Sequence, residues 1–204
     1  MSSIRTWSFL FKPAALGAFL LLATAAVACG DGGEETSVPT ATPPPAITVG
    51  PVPTVDAAVP LAEYRSADMG FSIGYPEGWK VEVPGGIFSA FTWSISGRPI
   101  AQVTLLCNQG ENMTVDGLIA SDRQIIASAG GSAPSEPTPI EIAGLPGKQT
   151  TYETNFGGLT AEQAAVYVVS GECGWRIGLA TYGPGTREPY LPLFDRILAS
   201  FRPS

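Results

Sequence analysis

The sequence predicts an α+β fold, an antiparallel β-sheet with helices packed on it. Apolar and polar side chains alternate in short runs between Phe71 and Tyr182, as in half-buried strands. Two other stretches, near 114–129 and 190–201, repeat apolar residues at three- and four-residue spacing, as in helices that bury one face. The order is four strands and a helix, then four strands and a helix. That order sets helices against an antiparallel sheet instead of alternating them with parallel strands.

The first two strands lie in residues 71–83, FSIGYPEGWKVEV. Phe71, Ile73 and Tyr75 form one alternation and Trp79, Val81 and Val83 the next, around the turn Pro76-Glu77-Gly78. Residues 87–95 and 100–107 are the second pair, joined through Ser96-Gly97-Arg98-Pro99. Thr114 then caps a helix, and Asp116 sits in the first turn, where the exposed amides favour negative charge. Val115, Leu118, Ile119, Ile126 and Ala129 share one face of it, and Gly130-Gly131 ends it.

A Ser/Pro-rich loop covers 132–139. Ile140 and Ile142 lead to a turn at Gly144-Leu145-Pro146-Gly147, and a strand returns from Lys148 to about Phe156. Residues 164–182 fold as a hairpin at Gly171–Gly174. In the closing helix Tyr190, Leu193, Phe194, Ile197, Leu198 and Phe201 form the apolar stripe, while Pro189 and Pro192 confine its start.

Three segments divide the chain. Residues 1–28 read as a signal peptide: Arg5 and Lys12 make a positive start, and PAALGAFLLLATAAVA is apolar but shorter than the ~20 residues a membrane span needs. The ending Ala26-Val27-Ala28-Cys29 resembles the lipobox of bacterial lipoproteins, although that family usually has leucine where Ala26 stands. The resemblance implies diacylglycerol on the Cys29 thiol, cleavage before it and a lipid anchor at the membrane. Plain secretion cuts at the same bond. Lipidation is favoured because Cys29 would otherwise be an exposed thiol in an oxidising compartment. Residues 29–61 are the modified cysteine and a Pro/Thr-rich disordered linker, which if extended reaches on the order of 90 Å at ~3.1 Å per residue. Residues 62–204 are the globular domain.

Composition excludes several activities. The chain has 204 residues, a formal net charge of -7 and no histidine. Without histidine there is no Ser-His-Asp or Cys-His catalysis, and the commonest zinc, copper and haem ligand sets are absent. Removal of residues 1–28 leaves 18 acids against 9 bases, and such a surface repels nucleic acid. There is no nucleophile elbow, phosphate loop, paired-carboxylate motif or calcium loop, so no catalytic residue, metal ligand or cofactor is assigned. Asp116 and Asp122 read as members of a solvated helix face.

Once these elements are placed, a family resemblance emerges. GFSIGYPEGWKVE is similar to the F-x-I-x-Y-P-x-G-W opening of PsbP-like domains. IEIAGLPGKQTTYE resembles their middle hairpin, and LFDRILASFR their closing helix with its Ser-Phe end. The resemblance covers roughly residues 62–202 and implies a Mog/PsbP-like α-β-α sandwich. Its members include an extrinsic photosystem II subunit and a Ran-GTPase-binding protein, so the shared property it implies is docking.

Cys107 and Cys173 remain as an even pair in an oxidising compartment, and a disulfide between them is expected, with two separate buried thiols as the alternative. Trp175 and Arg176 are the pair singled out for partner binding, because Trp and Arg are favoured at binding hot spots. The expected function is a non-catalytic accessory module that docks on an envelope protein. A carrier of a small apolar or lipidic ligand ranks second, and a histidine-free hydrolase third.

Overall fold

The computed structural model describes residues 55–83, 88–156 and 159–204, and all of them belong to one compact unit. The signal segment, Cys29 and most of the linker lie outside the described residues.

The chain first makes β1 (Leu61–Ser66) and β2 (Phe71–Pro76), which pair antiparallel. Gly78 then turns the chain, and Trp79 N donates to Pro76 O. The following strand, β3 (Lys80–Glu82), enters a different sheet. So residues 71–83 are not a hairpin, as alternation alone suggests, but a crossing between sheets. β4 (Phe88–Ile95) and β5 (Arg98–Gln109) continue the second sheet. After α1 (Val115–Ser128) come β6 (Thr138–Ile142), β7 (Leu145–Phe156), β8 (Leu159–Ser170) and β9 (Cys173–Tyr182). A 3-10 turn at Glu188–Tyr190 opens α2 (Leu191–Ser200), and β10 (Arg202–Pro203) closes the chain.

The larger sheet has seven strands in the order β3-β4-β5-β9-β8-β7-β6, and the smaller has the order β1-β2-β10. Alternation divides each central strand between two layers. Val166 and Val168 of β8 join the main core with Leu193, Phe194 and Ile197 of α2 and Phe71 and Ile73 of β2. Ala165 and Tyr167 point the other way and pack with Leu118, Ile119 and Ile126 of α1. The result is an α-β-α sandwich, with α1 on one face and α2 plus the small sheet on the other.

Local sequence accounts for most boundaries. Thr114 Oγ1 accepts from Gly117 N at 3.0 Å, as an N-cap should. The β6–β7 turn sits one step earlier than the glycine-rich run suggests. Ala143 (φ 54°) and Gly144 (φ 76°) are its two central residues, the positive-φ pair that a tight hairpin requires. Leu145, Pro146 and Gly147 already belong to β7, and β8 pairs only from Gly147, so Pro146 forfeits no ladder bond.

The 132–139 loop also has a structural task. Ser132 and Ser135 each give an amide to β7 and take one back on the hydroxyl, with Glu153 N and Thr151 N donating at 2.8 and 2.9 Å. The loop thereby covers the β7 edge beyond the end of β6.

Candidate functional site

The residues expected to act together do not share a surface. Trp175 and Arg176 are neighbours on β9, and strand alternation sends them to opposite faces. Trp175 is 1% exposed in the main core, edge-to-face with Phe71 at 5.3 Å and Phe201 at 5.4 Å. It ties the large sheet, the small sheet and the end of α2 together. Arg176 lies beneath α1. A surface pair able to anchor a partner is therefore not what these two residues form.

Asp122 corrects a second expectation. It is buried, on the inner face of α1, where Arg176 Nε donates to its Oδ2 at 2.8 Å. The Tyr167 hydroxyl donates to the same oxygen. Arg176 also donates to the Tyr152 hydroxyl, which donates in turn to Gln163 Oε1 at 2.9 Å, and Gln163 Nε2 reaches Thr154 Oγ1 at 2.6 Å. Every link has a donor facing an acceptor, so one continuous network spans β7, β8, β9 and α1. Gly178 makes room for it: a Cβ there would lie 2.8 Å from the Arg176 guanidinium. The signal for this site is position, not residue type. Asp122 falls on the same helical stripe as Val115, Leu118, Ile119 and Ile126.

Electrostatics hold the Arg176 guanidinium charged and the Tyr152 and Tyr167 hydroxyls neutral. Burial opposes the charge on Arg176, yet Tyr152 and Asp122 beside it prevail and hold its pKa above the ordinary arginine value. Burial, reinforced by the Asp122 carboxylate, pushes the Tyr167 hydroxyl well above the tyrosine range, and burial also raises Tyr152. The cleft beside the network, between α1 and β5, has a volume of about 50 Å³, room for water and little else.

Cys107 on β5 and Cys173 at the start of β9 are joined by a disulfide, packed against the edge of the main core. Among the described residues, no three Cys, Asp or Glu side chains converge as metal ligands, and no helix is long and apolar enough to cross a membrane.

Two open clefts flank α2. The first, about 300 Å³, is lined by Trp79, Trp93, Val59 and Leu193 with Asp56 and Glu77. The second, about 400 Å³, runs between β6 and α2, with Ile140, Ile142 and Leu198 beside Glu141 and Asp195. Alternation in the sequence places Trp79 and Trp93 at the core, and both are half-buried with the core on one side and the first cleft on the other. Arg196 of α2 donates to the carbonyls of Ala57 and Val59, the latter at 2.9 Å, and so fixes the chain that borders that cleft.

No family model matches this sequence, and no curated protein does. Among solved structures, the cyanobacterial PsbP (CyanoP) of Synechocystis matches with a TM-score of 0.53 and 15% identity, over 76% of this chain and 100% of that one. The fold is PsbP-like. A Bacteroides thetaiotaomicron protein matches at TM-score 0.50 and 11% identity over 70% of this chain, which spans 48% of that protein. LpqN of Mycobacterium tuberculosis, involved in cell envelope biogenesis, scores 0.45 at 13% identity, with 74% of this chain and 98% of LpqN covered. At these identities the likeness extends to the fold alone. In this PsbP-like domain the three motifs read from the sequence fall on β2–β3, on the β6–β7 hairpin and on α2 with β10.

Proposed function

We propose that this chain is a lipid-anchored, extracytoplasmic accessory module, held at the membrane through Cys29, whose PsbP-like domain docks on an envelope protein without catalysing a reaction. One observation carries the reading. The domain's strongest polar chemistry, Asp122 with Arg176, is consumed in a closed network under α1, while the clefts it offers to solvent are apolar troughs with acidic residues. Such surfaces suit recognition of another molecule. A carrier would hold its ligand in an enclosed cavity, whereas both larger clefts are open, which favours docking over carriage.

In-cell crosslinking of the full-length protein, followed by mass spectrometry, tests the proposal with Cys29→Ser as the control. A single envelope protein recovered with the wild type and lost with Cys29→Ser is the expected result. Recovery of lipid or small molecules with no protein partner would replace docking with carriage.

A further inference from the structure

We propose that the cleft between Trp79 and Trp93 receives a basic segment, bearing Arg or Lys, of the protein partner; this rests on the docking reading and names the chemistry of its contact. The cleft has a mostly apolar lining, with two indoles, Val59 and Leu193, and among the described residues the only charged side chains that line it are Asp56 and Glu77. Neither carboxylate is ion-paired among the described residues. Asp56 Oδ1 accepts from Ala58 N at 2.8 Å.

The cations on the bordering segments pair with neither carboxylate. Lys80 pairs with Glu82, and Arg196 donates to the carbonyls of Ala57 and Val59. An indole face attracts a guanidinium or ammonium, most strongly once water is excluded, and a carboxylate beside it completes the match. The wider field has the same sign, since residues 55–204 carry 15 acids against 9 bases.

Charge also decides against the nearest alternative occupant. The chain just upstream, residues 30–54, contains Asp31, Glu34 and Glu35 and no Lys or Arg, so it does not complement an acidic trough. The other cleft is a poorer receptor for an added strand. Its edge strand β6 carries Pro139, which has no amide hydrogen to donate.

The test is a fluorescence titration of the full-length chain with acetylated tetra-arginine peptide, repeated with the isosteric uncharged tetra-citrulline peptide. Tetra-arginine should quench tryptophan emission and saturate, with an affinity that falls as salt rises, and tetra-citrulline should not bind. Trp79→Ala should weaken tetra-arginine about tenfold and Glu77→Gln about threefold. Glu141→Gln/Asp195→Asn removes two charges from the other cleft and should leave the affinity unchanged. Equal binding of tetra-citrulline, or equal loss in that control, would overturn the proposal. Crosslinking separates the two readings: a partner still captured undiminished by Glu77→Gln/Trp79→Ala leaves docking standing and sinks this cleft as its site, while no partner at all sinks docking itself.

Discussion

The amide of Gly74 donates to Ser200 Oγ at 2.7 Å, joining the middle of β2 to the last residue of α2 across 126 positions of sequence. β10 pairs with β2 only at Ser72 and Phe71, so Gly74 has no strand partner on that side, and Ser200 takes the place of one. The approach needs a glycine, because a Cβ at Gly74 would lie 2.9 Å from Ser200 Oγ.

Ser200→Ala should therefore cost about 1–2 kcal/mol by leaving a half-buried amide unpaired. Gly74→Ala should cost at least as much, and the double variant should cost less than the sum of the two. Urea unfolding of the three variants measures this, and strict additivity would show that the contact is not made.

Asp122 and Arg176 allow a sharper test. Asp122→Leu strands a buried guanidinium and should cost about 3–5 kcal/mol, and Arg176→Met should cost a similar amount. Asp122→Leu/Arg176→Met removes both charges and should recover much of that loss. If the double variant is as unstable as the sum of the singles, the pair is not coupled as the geometry requires.

The Cys107–Cys173 bond closes a loop of 66 residues and constrains the unfolded chain. The chain-entropy argument gives about 4 kcal/mol for that length. Reductant should lower the urea midpoint of the wild type and leave Cys107→Ser/Cys173→Ser unaffected. Alkylation that finds two free thiols in the unreduced protein would remove the basis of the prediction.

Four tyrosines, Tyr152, Tyr167, Tyr182 and Tyr190, have their ionisation pushed above the ordinary value of 10.0, chiefly by burial. Raised folded values favour the neutral hydroxyls, so this stability is complete below pH 10 and falls as pH rises beyond it. Alkaline titration should show tyrosinate absorbance appearing together with loss of the folded circular dichroism signal. Tyrosinate formed at pH 10 in a fully folded protein by all four residues would contradict the burial argument.

Elements with a strong period are legible in the amino-acid pattern itself. α1 and α2 declare themselves through Leu118, Ile119 and Ile126 and through Leu193, Phe194 and Ile197, because a helix must bury one stripe. β1 is not legible in this way. In Leu61–Ser66 the large apolar residues Leu61 and Tyr64 are three apart, and its pairing with β2 supplies what its own pattern lacks. β10 is two residues long and exists only because β2 is there to receive it.

The site is less legible than the fold. Position 175 looks like a hot spot by residue type, yet whether a strand tryptophan faces solvent or core depends on which layers lie on each side. Two-sided burial of β9 is a property of the sandwich and not of the strand. Asp122 misleads for the complementary reason: its charge suggests solvent, while the helical stripe places it inside, opposite a cation from β9. The clefts beside α2 are assembled from segments distant in the chain, and no local spacing announces them.

The contact between Arg196 and the carbonyls of Ala57 and Val59 has a mechanical meaning. Residues 55–59 are held by two hydrogen bonds to one guanidinium of α2 and by the packing of Val55 and Val59 on the main core. The helix that walls both clefts is thus also the point where a leash would grip the domain. Peeling residues 57–59 from Arg196 would strip one wall of the tryptophan cleft while leaving every strand pairing of the large sheet in place.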